Sequence, residues 1–463
     1  MAPNRHPSSA TEGRRLEGLK PAALMQSMFK QPLSLWFAMF YLLFEYVRPQ
    51  ALYPAIDVLP WGLSMLALGT LFCLLEGRLS TDRWQFWALF LLFTAVILAS
   101  SVAAFMPSES YRSLEIWWGW LLAILLISSA IDTTPKLILT VCAFLLYNFK
   151  MSQHSVGAWA SVGFGFARVG ASGSPGWFRN SGEFGIAMCV MFPISLYLTL
   201  GAWPTMSRIA RVVMAAVTLS AVIGMVASSS RGALFGGGVL AVWFVMRSPN
   251  RLQMMGIAAA LAPLVWLIVP SQSKARWAAA GTDPDSIRRL TYWADGIKIA
   301  NDFPLLGIGY KNWLPYYRAY FNPEGEVQHN IFIECVSELG YVGLIVFVLL
   351  LIWSFVETGR VRKQSAPEGT APNRMLFYLS YGLDGALIGY LASGFFVTVL
   401  FYPFFWINSA LVMGLSRAAR WQRSQAPTGT KFGRVNAGRV VKDLMPLRRR
   451  TAASRYRGAA RPA

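Results

Sequence analysis

A chain of 463 residues that is 55% hydrophobic and only 14% charged cannot cover the surface of soluble domains, which carry about 25% charged residues. Composition therefore excludes a string of soluble domains and, away from the two ends, disorder. The formal net charge of +20 must come from topology or from an anionic partner, and the order of apolar runs decides between them.

A membrane helix needs about 20 mostly apolar residues to cross roughly 30 Å of hydrocarbon. Twelve candidate stretches lie near 31–47, 58–76, 84–105, 112–131, 135–150, 182–202, 208–228, 231–247, 252–270, 330–356, 376–400 and 402–416. The fifth and the last are short enough to be tilted or re-entrant. The expected fold is an all-α polytopic membrane protein of about 12 transmembrane helices over 31–416. Polar tails occupy 1–30 and 417–463, and a long outer loop holding short helices occupies 271–329.

Twelve crossings put both ends on one side. With both ends cytoplasmic, 29 of the 42 Lys and Arg fall on that side and 13 on the other, as the positive-inside rule requires. The charge is then mainly topology, and nucleic acid is not an expected partner. The tail 417–463 has 13 bases against Asp443 alone and includes Arg448-Arg449-Arg450. It lacks an aromatic RNA-binding pattern and suits anionic lipid head groups. Arg14-Arg15, ahead of the first span, reads as the flank of an anchored helix and not as a cleaved export signal. Cys73, Cys142, Cys189 and Cys335 lie in or beside the spans without a CxxC pair, which predicts neither disulfides nor a metal site.

Polar residues concentrate in three outer stretches. The first, 46–61, carries Arg48 and Asp57. The second, 150–179, is rich in Gly and Ser and carries His154, Arg168 and Arg179, with Asn180 following. The third, 271–329, holds seven bases and six acids. There Ile287, Leu290, Ala294 and Ile297 recur at helical spacing and predict an amphipathic helix over about 286–300, stopped near Pro304. Arg289 and Trp293 share a face, where the indole can stack on the guanidinium. Gly307 and Gly309 permit a sharp turn. The run Asn312 to Tyr320 is dense in aromatics, with Tyr316, Tyr317 and Tyr320, and suits sugar stacking and equally a membrane interface belt.

Arg231 interrupts an apolar run as SSSRGALFGGG, with no other base within fifteen residues on either side. A cation deep in a bilayer costs ~2.5–3.5 kcal/mol, so it either binds something anionic or snorkels to the head groups. His329 and Asn330 stand where the tenth stretch begins. Asn330 fits a helix cap, and His329 is either a structural histidine or a proton acceptor. Glu334 and Glu338 follow on one helix face; Glu334 can pair with an outer arginine, or both acids can sit in a wet mouth.

The segments SSSRGALFGG, RLTYWADGIKIANDFPLLGIGYKNW and HNIFIECVSELGYVGLIVF, in this order, resemble the O-antigen ligase and polymerase superfamily of bacterial membrane glycosyltransferases, over about 176–350. GWFRNSGEFGIAMCVMFPISLYL is similar to the family's upstream asparagine segment, and YVRPQALYP to a subset linked to surface polysaccharide. The resemblance implies a GT-C-like membrane fold and a donor glycan on undecaprenyl pyrophosphate, presented at the periplasmic face of the inner membrane. It implies a glycan or lipid A-core acceptor, surrounding membrane lipids and no cofactor. The family's membrane arginine falls on Arg231, its loop arginine on Arg289 or the adjacent Arg288, and its histidine on His329. Its usual glutamine is Glu334 here.

That chemistry needs an acceptor hydroxyl to attack an anomeric carbon as pyrophosphate leaves, with inversion. Arginine forks match phosphate at two points and stay charged. Arg231 and Arg289 are thus expected on the pyrophosphate, supported by Arg288 or Arg48, and His329 on the acceptor proton. Asn330, Glu334, Tyr310, Tyr316 and Tyr317 complete the expected substrate contacts. No metal is expected. Asp283-Pro284-Asp285 spells the DxD of nucleotide-sugar transferases, but nucleotide sugars are absent from the periplasm, so the match reads as chance. Ligation and polymerisation of repeat units use the same residues. A lipid-linked sugar flippase is the competing class; it would spread bases through the spans, whereas here they gather at the outer ends.

Overall fold

The structure, a computed structural model, describes residue 16 and residues 18–164, 170–269, 271–365 and 371–425. Arg14-Arg15, Arg168 and the Arg448-Arg449-Arg450 run lie outside the described residues. Within them every regular element is helical. After α1 (Pro21–Met28), the twelve apolar stretches all form helices, interleaved with short ones. They are α2 (Leu33–Tyr46), α4 (Trp61–Leu75), α5 (Trp84–Val102), α6 (Pro107–Ala130), α7 (Thr134–Ser161), α8 (Ser181–Ala202), α9 (Arg208–Ala227), α10 (Arg231–Arg247), α11 (Arg251–Ile268), α15 (Ile331–Gln364), α16 (Ala371–Gly394) and α17 (Pro403–Ser424). The short helices are α3 (Pro49–Leu52), α12 (Ser271–Ala278), α13 (Pro284–Asp302) and α14 (Trp313–Tyr320).

The expected twelve crossings are not sustained. Among the described residues six helices are long and apolar enough to cross a membrane: α5, α6, α8, α9, α15 and α16. The others fall short for two physical reasons. At 1.5 Å per residue, α2, with 14 residues, and α4, with 15, reach only about 21–23 Å. Helices α7 and α17 are long enough, at 28 and 22 residues. However, α7 carries Lys136, Asn148 and Lys150, and α17 ends in Arg417, Arg420 and Arg423. Helix α7 also runs on to Ser161, so the expected loop over 150–179 begins later and His154 is an exposed helical residue.

Helix α8 is buried nearly along its whole length. Its partner α16 presents Gly382, Gly385 and Gly389, spaced three and four apart. A Cβ on Gly385 would stand 2.6 Å from the Pro193 side chain, and one on Gly389 2.8 Å from the Cys189 carbonyl. Small residues thus let the two backbones meet, the packing that holds helices together where lipid cancels the hydrophobic drive. Gly236 of α10 meets Ser393 of α16 as closely.

Helix α15 breaks at Gly340, whose φ of 69° and ψ of −177° are not helical. An alanine there would cost roughly 1–3 kcal/mol for a backbone conformation open essentially only to glycine and would also meet the Leu305 backbone at 2.5 Å. The loop after α13 fills the break. Tyr341 N–H donates to the Pro304 carbonyl (2.8 Å), Ile308 N–H to Ser337 O (3.0 Å) and Gly309 N–H to Glu338 O (3.1 Å). Irregular backbone at a helix break is thereby paired within protein. The sharp turn expected at Gly307 is present, with φ of 64°.

Candidate functional site

Two helix starts build the site. Ser230 caps α10, its hydroxyl accepting from Ala233 N–H, and so places Arg231 on the first turn. That is the positive end of the helix dipole, unfavourable for a cation. Asp283 compensates: Arg231 Nη1 and Nη2 donate to its two carboxylate oxygens at 2.8 and 3.2 Å. Asp283 itself caps α13, accepting from Ser286 N–H and Oγ at 3.1 and 2.5 Å, with Pro284 following at the first helical position. Arg231 and Ser286 together hold its carboxyl well below the usual carboxylate range.

Arg289 projects from the same helix, part-buried. Burial, and then the charge of Arg231, lower its pKa from the ordinary guanidinium value, although it stays protonated. No hydrogen bond or ion pair engages it among the described residues. Its neighbour Arg288 turns away: it is half exposed, hydrogen-bonds Asp285 and lies 3.8 Å from Glu326. Of the two adjacent arginines, Arg289 is the one whose charge is opposed by Arg231.

His329 enters from the other side. Its backbone is left-handed, φ 53°, a conformation uncommon outside glycine, and Thr398 Oγ1 accepts its N–H at 2.7 Å. Its Nε2 stands 3.8 Å from a Glu326 oxygen, beyond a hydrogen bond. Burial and the Arg289 charge pull its pKa down from 6.5 to about 4, against the opposing pull of Glu326. The ring is therefore neutral near pH 7. Arg289 thus stands within electrostatic reach of both Arg231 and His329.

The remaining expected residues are placed differently. Asn330 caps α15, its Oδ1 accepting from Phe332 and Ile333 N–H, as the sequence predicts; it is spent on the helix. Glu334 pairs with Lys311 at 3.0 Å and accepts from Leu400 N–H, so its partner is a lysine and not an outer arginine. Glu338 accepts from Lys311 N–H at 2.9 Å. Both acids are almost fully buried and line a small cavity of about 90 Å³ together with Lys311, Gln328 and Thr398. Tyr310 is buried with its hydroxyl donating to Ser113 O, and Tyr317 is buried with its hydroxyl on Asp295 (2.6 Å). Tyr316 packs edge-on to Phe105 and Phe303. These rings hold the loop together, Tyr317 stacking on both Trp313 and Phe321. Arg48 lies against Gly176, beside the Trp177–Glu45 hydrogen bond.

Trp293 does not stack on Arg289. Its indole donates to Gln328 O at 3.1 Å and packs on Phe395 and Phe396. The expected helix starts two residues earlier and ends two later, and its apolar stripe Ile287, Leu290 and Ile297 is exposed. The face that packs is Tyr292, Gly296, Ile299 and Ala300. Sequence reasoning missed Glu326, Lys311 and Thr398 and set Asp283 aside with the chance DxD match. Only Asp283 had a local signal, the Asp-Pro start of a helix.

Residues 214–348 match the family described as O-antigen ligase. The chain is also 30% identical over 114 residues to the exopolysaccharide production protein ExoQ of Rhizobium meliloti (strain 1021). That alignment covers 21% of this chain and 25% of the relative, so the chain matches about a quarter of that protein's length. With several apolar helices long enough to cross, the protein is a multi-pass membrane protein. The segment that supplies Arg231, Asp283, Arg289 and His329 belongs to the O-antigen ligase and polymerase superfamily.

Proposed function

We propose that the protein is an inner-membrane glycosyltransferase, with both ends cytoplasmic. It moves a glycan from undecaprenyl pyrophosphate to an acceptor hydroxyl at the periplasmic face. The observation that carries this reading is the meeting of two guanidinium groups with a neutral histidine: Arg231 held by Asp283, Arg289 with no ion pair among the described residues, and His329. Two forks, of which Arg289 has no carboxylate in ion-pair contact among the described residues, suit a pyrophosphate.

In this reading the acceptor oxygen bonds to the anomeric carbon as the carbon–phosphate oxygen bond breaks on the opposite face, which inverts the centre. The hydroxyl proton passes to His329. The negative charge growing on the leaving pyrophosphate falls to Arg289 and to Arg231, which exchanges Asp283 for phosphate. The arriving anion also offsets the Arg289 charge that depresses His329, so the base strengthens when the donor is bound. Arginines take the charge role that a divalent ion would otherwise fill, and none is invoked.

The test is transfer by purified protein from a lipid-linked glycan to an acceptor. Arg231→Lys keeps the charge but loses the two-point fork and should cost about 10²–10³ in turnover, by analogy with lost oxyanion donors. His329→Ala should lower turnover while leaving donor binding nearly intact. Full activity in both variants overturns the assignment. The likeness to a protein named for exopolysaccharide production favours a second reading at the same site, polymerisation of repeat units. A deletion strain separates the two: unattached glycan marks a ligase, single repeat units a polymerase.

A further inference from the structure

A groove of about 1910 Å³ runs between α10 and α11 on one side and α8, α9 and α16 on the other. It is about twice the upper end of the roughly 300–1,000 Å³ that small-molecule pockets span. Its walls are apolar through the middle, with Phe192, Val222, Ala241, Val265 and Phe377. No residue of Arg251–Leu267 is buried; α11 leans on α10 and leaves its other flank to the groove. Such a space inside a membrane protein is filled by hydrocarbon, since water gains no partners along apolar walls.

One end of the groove is basic. Arg247, Arg251 and Lys363 line it together with Asn250 and Gln253. None of these three bases makes a hydrogen bond or ion pair with another described residue. Arg362, beside them, is taken by Asp384 at 2.7 Å and by the Tyr381 ring. This end lies opposite the site described above: Arg231 opens α10 and Arg247 closes it, about 24 Å apart at 1.5 Å per residue. A donor whose pyrophosphate sits at Arg231 and Arg289 cannot also place it here.

We infer that the groove holds an anionic glycerophospholipid from the leaflet opposite the Arg231 site. Its tails lie along the apolar walls, and its phosphate is bound by Arg247, Arg251 and Lys363. Three bases with no acid among the lining residues attract a singly charged phosphodiester, and two of them offer forks that pair with its oxygens at two points. The lipid takes the place of a missing helix, supporting the α10–α11 hairpin from the side that protein leaves open.

The test uses purified full-length protein in uncharged detergent, titrated with phosphatidylglycerol or with phosphatidylcholine of the same tails. Bound lipid is counted by native mass spectrometry. Wild type should bind phosphatidylglycerol in clear preference. Arg247→Gln/Arg251→Gln/Lys363→Gln should weaken it roughly 100-fold, the ~3 kcal/mol of three bases near an anionic head group. Arg247→Lys/Arg251→Lys should retain most of the binding. Ala241→Trp fills the groove with every base intact and should lower the uptake of both lipids. Equal binding of the two lipids by wild type, or undiminished phosphatidylglycerol binding by the triple glutamine variant, overturns the inference. So does a dimer that closes the groove without lipid.

Discussion

His329 can be read directly, because the chain has three histidines, His6, His154 and His329. Histidine-selective isotope labelling therefore gives three titrating NMR signals, and His329→Gln assigns the one that matters. That signal should titrate at about 4 instead of 6.5, for burial first and Arg289 second. The difference is worth about 3 kcal/mol in favour of the neutral ring. The sign follows from linkage. The unfolded chain takes up a proton between pH 6.5 and about 4 that the folded chain refuses, so stability falls as pH falls through that window. Base function in the donor-free protein is lost only as pH falls through about 4. Arg289→Gln removes the second cause and should move the signal up toward 6.5, without reaching it, because burial remains. Glu326→Gln removes the opposing pull and should move it down. A wild-type signal at 6.5 that neither substitution shifts would refute the placement of His329 beside Arg289.

Asp283→Asn keeps the α13 cap, since asparagine caps about as well as aspartate, but loses the charge that occupies Arg231. With both partners about one-fifth exposed, the pair is worth about 1 kcal/mol, so the donor KM in steady-state transfer assays should fall about fivefold; an unchanged or higher KM argues against Asp283 as an internal stand-in for phosphate. Lys311→Met strands Glu334 in the protein interior and should cost about 3–5 kcal/mol. Adding Glu334→Gln should restore much of it, and thermal unfolding in detergent that gives equal Tm for the single and double variants would show that the pair is not coupled.

What could be read from the sequence were features whose cause is local. Asn330 fits a cap because its side chain reaches N–H groups two and three residues on, and Gly307 fits a turn because its φ is positive. Helix α13 was visible in its periodicity, yet periodicity names a stripe without saying what covers it. Ile287, Leu290 and Ile297 repeat correctly and are exposed, while Tyr292 and Gly296 do the packing. The same limit applies to the membrane helices. Apolar runs located all twelve, but crossing depends on length and on where Lys136 or Arg417 interrupts, and six meet that standard among the described residues.

The partners that tune the site lie beyond any local signal, because each pair is joined only by the fold: Arg231 with Asp283 across 52 residues, His329 with Thr398 across 69, and Glu334 with Lys311 across 23. The break at Gly340 links two of these. By letting the 304–309 backbone bond to Ser337 and Glu338, it brings Lys311 under the first turns of α15, where Glu334 awaits it. Glu334 in turn accepts from Leu400 N–H, two residues after the Thr398 that holds the His329 backbone. The left-handed φ of His329 is thus held from both sides, by the cap at Asn330 and by the connector that the Lys311–Glu334 pair secures. A carboxylate at position 334 is then the partner that the neighbouring Lys311 demands. It holds the connector that carries Thr398, and through Thr398 the His329 backbone.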